Sequence, residues 1–359
     1  MKDVKYLFIN SRLSDGGSER VMTLLANEFA NRGLDVSMLL VREEKKEIYK
    51  LDDRIDRYQL TYGNSSKIGK LIKRFLYTRR YIKKINPDKI ISFMEDINAI
   101  TLLACIGLHK DIIVSERNNP KTADSKIQAV IRWFIQNVIY RLAKKVVLQT
   151  EFVKECFSNT IQRKSVVIPN PINPDIPLRY EGERNKEIVA VGRLNKQKNF
   201  PLLIKAFAEF VKEYPTYKLT IYGEGELRSE FEDMIKELDI ESCVELPGYI
   251  QDVNIRMNHA SMYVSSSDYE GISNSMIEAL AMGVPSICTD CPVGGARLMI
   301  GDNRNGLLIP VGDESALITA MKDIASDEKL AKRLSNNAIT IRDEYSIEKI
   351  ADIWIKEIG

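Results

Sequence analysis

The chain has little of what metal and redox centres are made from: two histidines, His109 and His259, and five cysteines in 359 residues. Cys105, Cys156, Cys243, Cys288 and Cys291 are an odd, scattered set, which argues against a disulfide framework and fits a reducing cytosol. Cys288-x-x-Cys291 is a lone pair with no second one, so a metal or redox use is not expected of it. No apolar run approaches the roughly 20 residues that a spanning helix needs. Met1–Asn10 is one short β-like stretch without the basic-apolar-small layout of a secretory signal. Neither a membrane-spanning nor a secreted protein is therefore expected. Repeats of 20–50 residues and low-complexity segments are missing as well, and with them solenoid and disordered classes. What remains is an ordinary globular composition, 44% hydrophobic and 28% charged, long enough for two domains. The net charge of +2 hides an asymmetry: residues 1–180 carry 32 basic and 20 acidic side chains, the rest 20 and 30. Two surfaces of opposite sign imply two different partners.

Short β-branched runs alternate with longer amphipathic stretches, the pattern of βα units on a parallel sheet. In the first half, strands are expected at 4–9, 34–41, 89–93, 111–114, 145–148 and 165–168, with helices at 19–32, 67–84, 126–142 and 151–158. Ile168-Pro169-Asn170-Pro171-Ile172-Asn173-Pro174, with Pro177 behind it, would interrupt any element and reads as a linker. The second half repeats the pattern and closes with helices expected at 314–325, 328–344 and 347–358. This predicts an α/β protein of two Rossmann-like domains, 1–172 and 173–344, facing across a ligand cleft, with 345–359 crossing back to the first around Trp354.

Chemistry is concentrated in four stretches. In Asp268-Tyr269-Glu270-Gly271-Ile272-Ser273-Asn274-Ser275-Met276-Ile277-Glu278 a strand ends, a turn follows at Gly271, and Ser273 and Asn274 can cap a helix starting near Ser275. Free amides at that helix start favour phosphate, while Glu270 and Glu278 can hold hydroxyls of the same ligand; the bland alternative is a capped, acid-decorated surface helix. Val191-Gly192-Arg193-Leu194-Asn195-Lys196-Gln197-Lys198 follows a strand, and Arg193 and Lys198 could neutralise a diphosphate without a metal, or form a solvated basic loop. Tyr222-Gly223-Glu224-Gly225-Glu226 is an incomplete dinucleotide fingerprint, with Arg228 where the third glycine would stand; it reads as a tight turn lining the cleft. Asp15-Gly16-Gly17-Ser18-Glu19-Arg20 is the matching turn of the first half, where Gly16 and Gly17 either bring backbone close to a ligand or serve the turn alone.

Taken in order, Gly16–Arg20, Gly192-Arg193-Leu194 with Lys198, Gly223-Glu224-Gly225, Leu246-Pro247-Gly248-Tyr249, Glu270 with Glu278, Asp290–Arg297 and Asn305–Pro310 resemble glycosyltransferase family 4 of the GT-B superfamily. The resemblance implies a retaining transferase of bacterial glycan assembly. It would move a hexose or N-acetylhexosamine from a nucleotide diphosphate sugar, a UDP-sugar being commonest, to a glycan hydroxyl, lipid-linked by preference. By the same analogy Arg193 and Lys198 hold and stabilise the leaving diphosphate, Glu278 grips the ribose, Glu270 the donor hexose, and the Tyr249–Ile250 backbone the base. Gly16, Gly17, Gly192, Gly223, Ser273, Asn274 and Ser275 complete the donor site. No Asp-x-Asp triplet occurs, so no cofactor and no metal is expected. Many members carry a histidine near the anomeric carbon; here the matching segment, Ile113–Pro120, has Arg117, which cannot accept a proton and is expected to bind a phosphate or acceptor hydroxyls, oriented by Glu116. The rivals are a nonhydrolysing nucleotide-sugar epimerase and a catalytically silent nucleotide-sugar-binding assembly subunit.

Lys67–Lys89 holds nine basic residues against Asp88 alone, with Ile68, Leu71, Ile72, Phe75 and Ile82 at helical spacing. The apolar stripe is expected to pack inward and the basic face to meet an anionic membrane beside the acceptor, giving a cytoplasmic protein peripheral on the inner face. Nucleic acid is not expected, since no aromatic platform accompanies the charge.

Overall fold

The computed structural model describes every residue except 1–3, 15, 44–47, 64–65, 118–124, 302 and 359, together with the side chains of all but Lys67 and Ile68 among them. Asp15, Asn118, Asn119 and Pro120 of the motifs above thus lie outside the described residues. The chain divides into two units, residues 1–171 with 347–359, and residues 172–346.

The first unit is built on seven parallel strands: β1 Lys5–Asn10, β2 Asp35–Leu40, β3 Asp56–Gln59, β4 Lys89–Phe93, β5 Asp111–Ser115, β6 Lys145–Leu148 and β7 Ser165–Val167, in the order β3-β2-β1-β4-β5-β6-β7. The central strands are buried along their length, β4 over all five residues, which is why they read as continuous apolar runs. The second unit has six: β8 Asn185–Val191, β9 Lys218–Tyr222, β10 Val244–Gly248, β11 Ala260–Ser265, β12 Ser286–Thr289 and β13 Leu307–Ile309, in the order β10-β9-β8-β11-β12-β13, again parallel. From β8 the chain winds to one side through β9 and β10, then returns to the other through β11, β12 and β13. The strand order therefore reverses beside β8 and β11, and the carboxyl ends of those two strands are where an open α/β sheet offers a crevice.

Several local expectations are corrected. Strand β3 and the helices Glu95–Ala104, Val253–His259 and Gly295–Met299 were not anticipated. The helix expected over 126–142 stops at Asn137 and passes into a 3-10 turn, Ile139–Leu142. The one expected over 328–344 is two helices, Glu328–Ala338 and Ile341–Glu344. The stripe on the Lys67–Ile85 helix does not all pack inward: Ile82 is buried, but Leu71 and Ile72 are more than half exposed. Nor are all the cations of the 67–89 segment free. Lys89 is buried with its Nζ on the Ile358 carbonyl, and Arg79 donates to the carbonyls of Ala104 and Ile106 at 2.6 and 2.8 Å.

Candidate active site

The site in the second unit is assembled from loops that leave the carboxyl ends of β8, β9, β10, β11 and β12. The β8 loop carries Gly192, Arg193 and Lys198 and enters the Phe200–Glu213 helix, whose first turn is capped by Asn199, its Oδ1 accepting from Leu202 N at 3.4 Å. The β11 loop carries Glu270 and enters the Asn274–Ala281 helix. Four hydrogen bonds stitch the two loops together: Asp268 N to Gln197 O at 2.9 Å, Asn199 Nδ2 to Asp268 Oδ1 at 2.7 Å, Gln197 Nε2 to Tyr269 O at 2.9 Å and Ser266 Oγ to Lys198 O at 2.9 Å. They hold Lys198 against Glu270, and Lys198 Nζ forms an ion pair with Glu270 Oε2, which also accepts from Ser267 Oγ at 3.1 Å. The pair is 15% and 21% exposed, dry enough to matter electrostatically and open enough for a ligand to reach. Arg193 is exposed, and no side-chain hydrogen bond or ion pair to it is found among the described residues.

The glycines around this pair are required by close packing. A Cβ on Gly192 would stand 2.8 Å from Lys198 Cε, so the bare backbone is what lets the lysine lie across it. Gly223 has φ +141, and a Cβ there would be 1.9 Å from the Gly192 carbonyl oxygen; the Gly223 turn thus supports the β8 loop from beneath. Gly295 does the same on the other side, where a Cβ would meet the Gly271 carbonyl oxygen at 1.9 Å. Gly295, Asn199, Asp268 and Ser266 are positioning residues that the sequence reading did not single out. Their only signals, a Gly-Gly pair and an Asn at a helix start, are too common to point to a site.

At the start of the Asn274–Ala281 helix the expected capping is corrected. Ser273 occupies the cap position without its side chain capping an amide; its hydroxyl lies 3.0 Å from that of Ser275, which reaches Tyr263 OH at 2.8 Å. Glu278, one turn in, is buried at 3% exposure. Glu270, Gly271, Ser273, Thr289 and Cys291 line a small pocket at this helix start. Tyr249 is exposed after β10 and Ile250 packs partly against the core. Among the described residues no group of three or more His, Cys, Asp or Glu is gathered to hold a metal.

The cysteines beside the pocket, Cys288 and Cys291, are buried. Burial raises the Cys288 thiol far above its ordinary value and pushes Cys291 up to about 11; Cys105 is likewise pushed up to about 12. Titration of the native protein with a thiol reagent is expected to modify Cys156 and Cys243, and to reach Cys105, Cys288 and Cys291 only on unfolding. Fast labelling of Cys291 in the native state would contradict this.

Arg117, Gly16 and Gly17 belong to the first unit. Arg117 is 7% exposed, donates to Asn170 Oδ1 at 2.7 Å and lies over the Phe93 ring at 4.1 Å, while its Nε and Nη2 meet no hydrogen-bond partner among the described residues; burial lowers its pKa to about 9. The Glu116 carboxylate accepts from the Arg117 N–H through Oε1 at 3.2 Å and from Tyr140 OH through Oε2 at 2.9 Å. The helix after Gly16 starts at Gly17, earlier than expected, and the Glu19 carboxylate folds back over Gly16, accepting from Ser11 and Ser18 hydroxyls at 2.8 Å each.

Both units are similar to known proteins. Residues 15–176 match the family model described as Glycosyltransferase Family 4, and residues 179–340 match Glycosyl transferases group 1. Two Campylobacter jejuni proteins are each 29% identical. One, the GalNAc-alpha-(1->4)-GalNAc-alpha-(1->3)-diNAcBac-PP-undecaprenol alpha-1,4-N-acetyl-D-galactosaminyltransferase, is covered at 98% by 99% of this chain. The other, the N-acetylgalactosamine-N,N'-diacetylbacillosaminyl-diphospho-undecaprenol 4-alpha-N-acetylgalactosaminyltransferase, is covered at 96% by 96%. Among solved structures, Anabaena Alr3699/HepE in complex with UDP and glucose has a TM-score of 0.85 at 17% identity, with 98% of both chains covered, and so shares the fold.

Proposed function

The chain belongs to glycosyltransferase family 4, and from that premise we propose a retaining, metal-independent transfer of a hexose or N-acetylhexosamine from a UDP-sugar to a hydroxyl of a lipid-linked glycan. The observation that carries this is the Lys198–Glu270 ion pair, set at the strand-order reversal beside the uncapped start of the Asn274–Ala281 helix. In this reading Arg193 and Lys198 bind the diphosphate and stabilise the charge that grows on it as the sugar leaves, a preorganised cationic clamp in place of a metal. The Gly192 backbone and the Ser273–Asn274–Ser275 amides add hydrogen bonds to the phosphates. Glu270 holds the hexose, Glu278 the ribose, and the Tyr249–Ile250 backbone the base, while Gly223 acts by supporting Gly192. The first unit would present the acceptor, which the names of the Campylobacter relatives suggest is joined to a polyprenyl diphosphate. Those relatives are transferases, which favours this reading over an epimerase or a silent subunit.

In this reading the chain works at the cytoplasmic face of a membrane, where such an acceptor would be held. Among the described residues no helix is long and apolar enough to cross one. The exposed Arg80, Lys83 and Lys84 favour anionic head groups by about 1 kcal/mol each.

Thermal unfolding with UDP, GDP, ADP and their hexose conjugates, with and without chelator, tests the donor site. A ligand at 100 times its dissociation constant adds about 2.7 kcal/mol of stability. Stabilisation by UDP and UDP-sugars that chelator leaves unchanged is expected. Stabilisation by another nucleotide alone, or its loss with chelator, would overturn the donor or the metal independence.

A further inference from the structure

Two residues hold the Glu270 carboxylate, and both do so through one oxygen. Lys198 Nζ and Ser267 Oγ each reach Oε2, the hydroxyl at 3.1 Å, while no hydrogen bond to Oε1 is found among the described residues. Lys198 cannot be the lasting partner, because an arriving diphosphate draws its ammonium into charge-assisted hydrogen bonds of its own. Of the two, Ser267 is the one that can keep the carboxylate both before and after the donor arrives.

Ser267 is itself fixed by side chains for which the proposed function has no use. Ser265 and Cys288 are register partners in the parallel pair β11–β12, so the segments that leave these strands run side by side. From the β12 side Thr289 Oγ1 donates to the Ser267 carbonyl at 2.6 Å, and Cys291 Sγ donates to the same oxygen at 3.2 Å. The Ser265 carbonyl lies farther from the Thr289 hydroxyl, at 3.4 Å, so the single hydroxyl proton goes to Ser267. With its thiol pushed up to about 11 by burial, Cys291 keeps at neutral pH the proton that it donates. Ser267, Thr289 and Cys291 are all buried, at 1–3% exposure. The backbone on both sides of Glu270 is tied down as well: Asp268 N donates to Gln197 O, and Gly295 lies close against the Gly271 carbonyl. What remains to be aimed is the Glu270 side chain.

We infer that Ser267, held by Thr289 and Cys291, is a positioning residue: it keeps Oε2 of Glu270 turned into the protein and presents Oε1 to the donor hexose once Lys198 has gone over to the diphosphate. This goes beyond the proposed function and rests on its assignment of the hexose to Glu270 and the diphosphate to Lys198. Because the Ser267–Glu270 bond exists with and without UDP, its loss cancels from UDP affinity and falls on the sugar. Ser267→Ala should therefore bind UDP as the parent does in calorimetric titration, yet lose ~10-fold in kcat and in the affinity of a UDP-sugar relative to UDP. The UDP-sugar used is the one that stabilises the parent most. In a Glu270→Ala background the same substitution should cost nothing further, since it acts through Glu270. Thr289→Val, which keeps the shape and removes the hydroxyl, should lower transfer in the same sense, and Thr289→Ser should transfer as the parent does. Two nucleotide-free crystal structures test the contact itself. In Lys198→Ala the Glu270 carboxylate should stay on Ser267; in Lys198→Ala/Ser267→Ala it should leave that place. A carboxylate that leaves Ser267 in Lys198→Ala, equal loss of UDP binding in Ser267→Ala, a full ~10-fold cost in the Glu270→Ala background, or Thr289→Ser failing as Thr289→Val does would overturn the inference. If Glu270→Ala itself transfers like the parent, the hexose assignment falls, and the two nucleotide-free structures still decide whether Ser267 holds the carboxylate.

Discussion

Glu270→Gln is expected to lower sugar transfer by ~10²–10³-fold while UDP binds as well as before or better. In the unliganded site the Glu270 carboxylate neutralises the Lys198 ammonium. An arriving diphosphate must take that ammonium over, and the neutral amide gives it up more readily. Lys198→Ala has the opposite signature. It removes a charge-assisted contact, worth ~1.5–3 kcal/mol, and leaves an unpaired carboxylate facing the phosphates, so UDP affinity should fall ~10–100-fold. The coupling between the two residues then becomes measurable. If the repulsion is real, Glu270→Gln tightens UDP binding more in the Lys198→Ala background than it does in the parent, an excess that independent contributions would not give. Calorimetric titration with UDP on the three variants, beside transfer assays, decides it. Equal loss of UDP binding in both single variants would undo the assignment of diphosphate to Lys198 and hexose to Glu270.

That pair shows where sequence reading ends. Both residues stand out as chemistry-bearing, but they are 72 positions apart, and only the β8–β11 adjacency brings them into contact. The strands of both sheets were legible because buried parallel strands are apolar throughout. Strand β3, Asp56-Arg57-Tyr58-Gln59, was not, since an edge strand half in water carries polar side chains. The Glu95–Ala104 helix was hidden for the reverse reason: with Ile97, Asn98, Ala99, Thr101, Leu102 and Ala104 all buried it shows no stripe of period 3.6. On the Lys126–Asn137 helix the stripe is plain, but periodicity gives an apolar face and not its direction, which is also why inward packing was expected of the whole stripe on the Lys67–Ile85 helix. Arg117 reads from the sequence as a ligand-binding cation because it follows a strand. Only the structure shows the aromatic rings that cover it.

Those rings lead to the most damaging single change expected in the first unit. Trp354→Ala should destabilise it by ~3–5 kcal/mol, a large part of the 5–15 kcal/mol that holds a typical domain. Trp354, 0% exposed on the Ile347–Ile358 helix, stacks on Phe93 of β4 at 5.8 Å and lies 5.9 Å from the Arg117 guanidinium. The helix is fixed at both ends. Near its start Arg32 Nη2 donates to Glu348 O at 2.7 Å; at its end the Lys89 and Lys145 ammonium groups meet the carbonyls of Ile358 and Glu357, the cations that the negative end of a helix favours. With both ends held, the helix cannot settle into the space the indole leaves, and the full cavity cost remains. Arg117 would lose one of its two aromatic neighbours and gain water, so its lowered pKa should move back toward the ordinary value. Hydrogen exchange gives the readout: in Trp354→Ala, amides of β4, β5 and the Gly17–Asn31 helix should lose protection, while those of β8–β13 keep theirs. Trp354→Phe, which keeps a ring against Phe93, should recover most of the loss. Uniform loss of protection in both units, or none in the first, would show that this contact does not stabilise the first unit in the way its geometry implies.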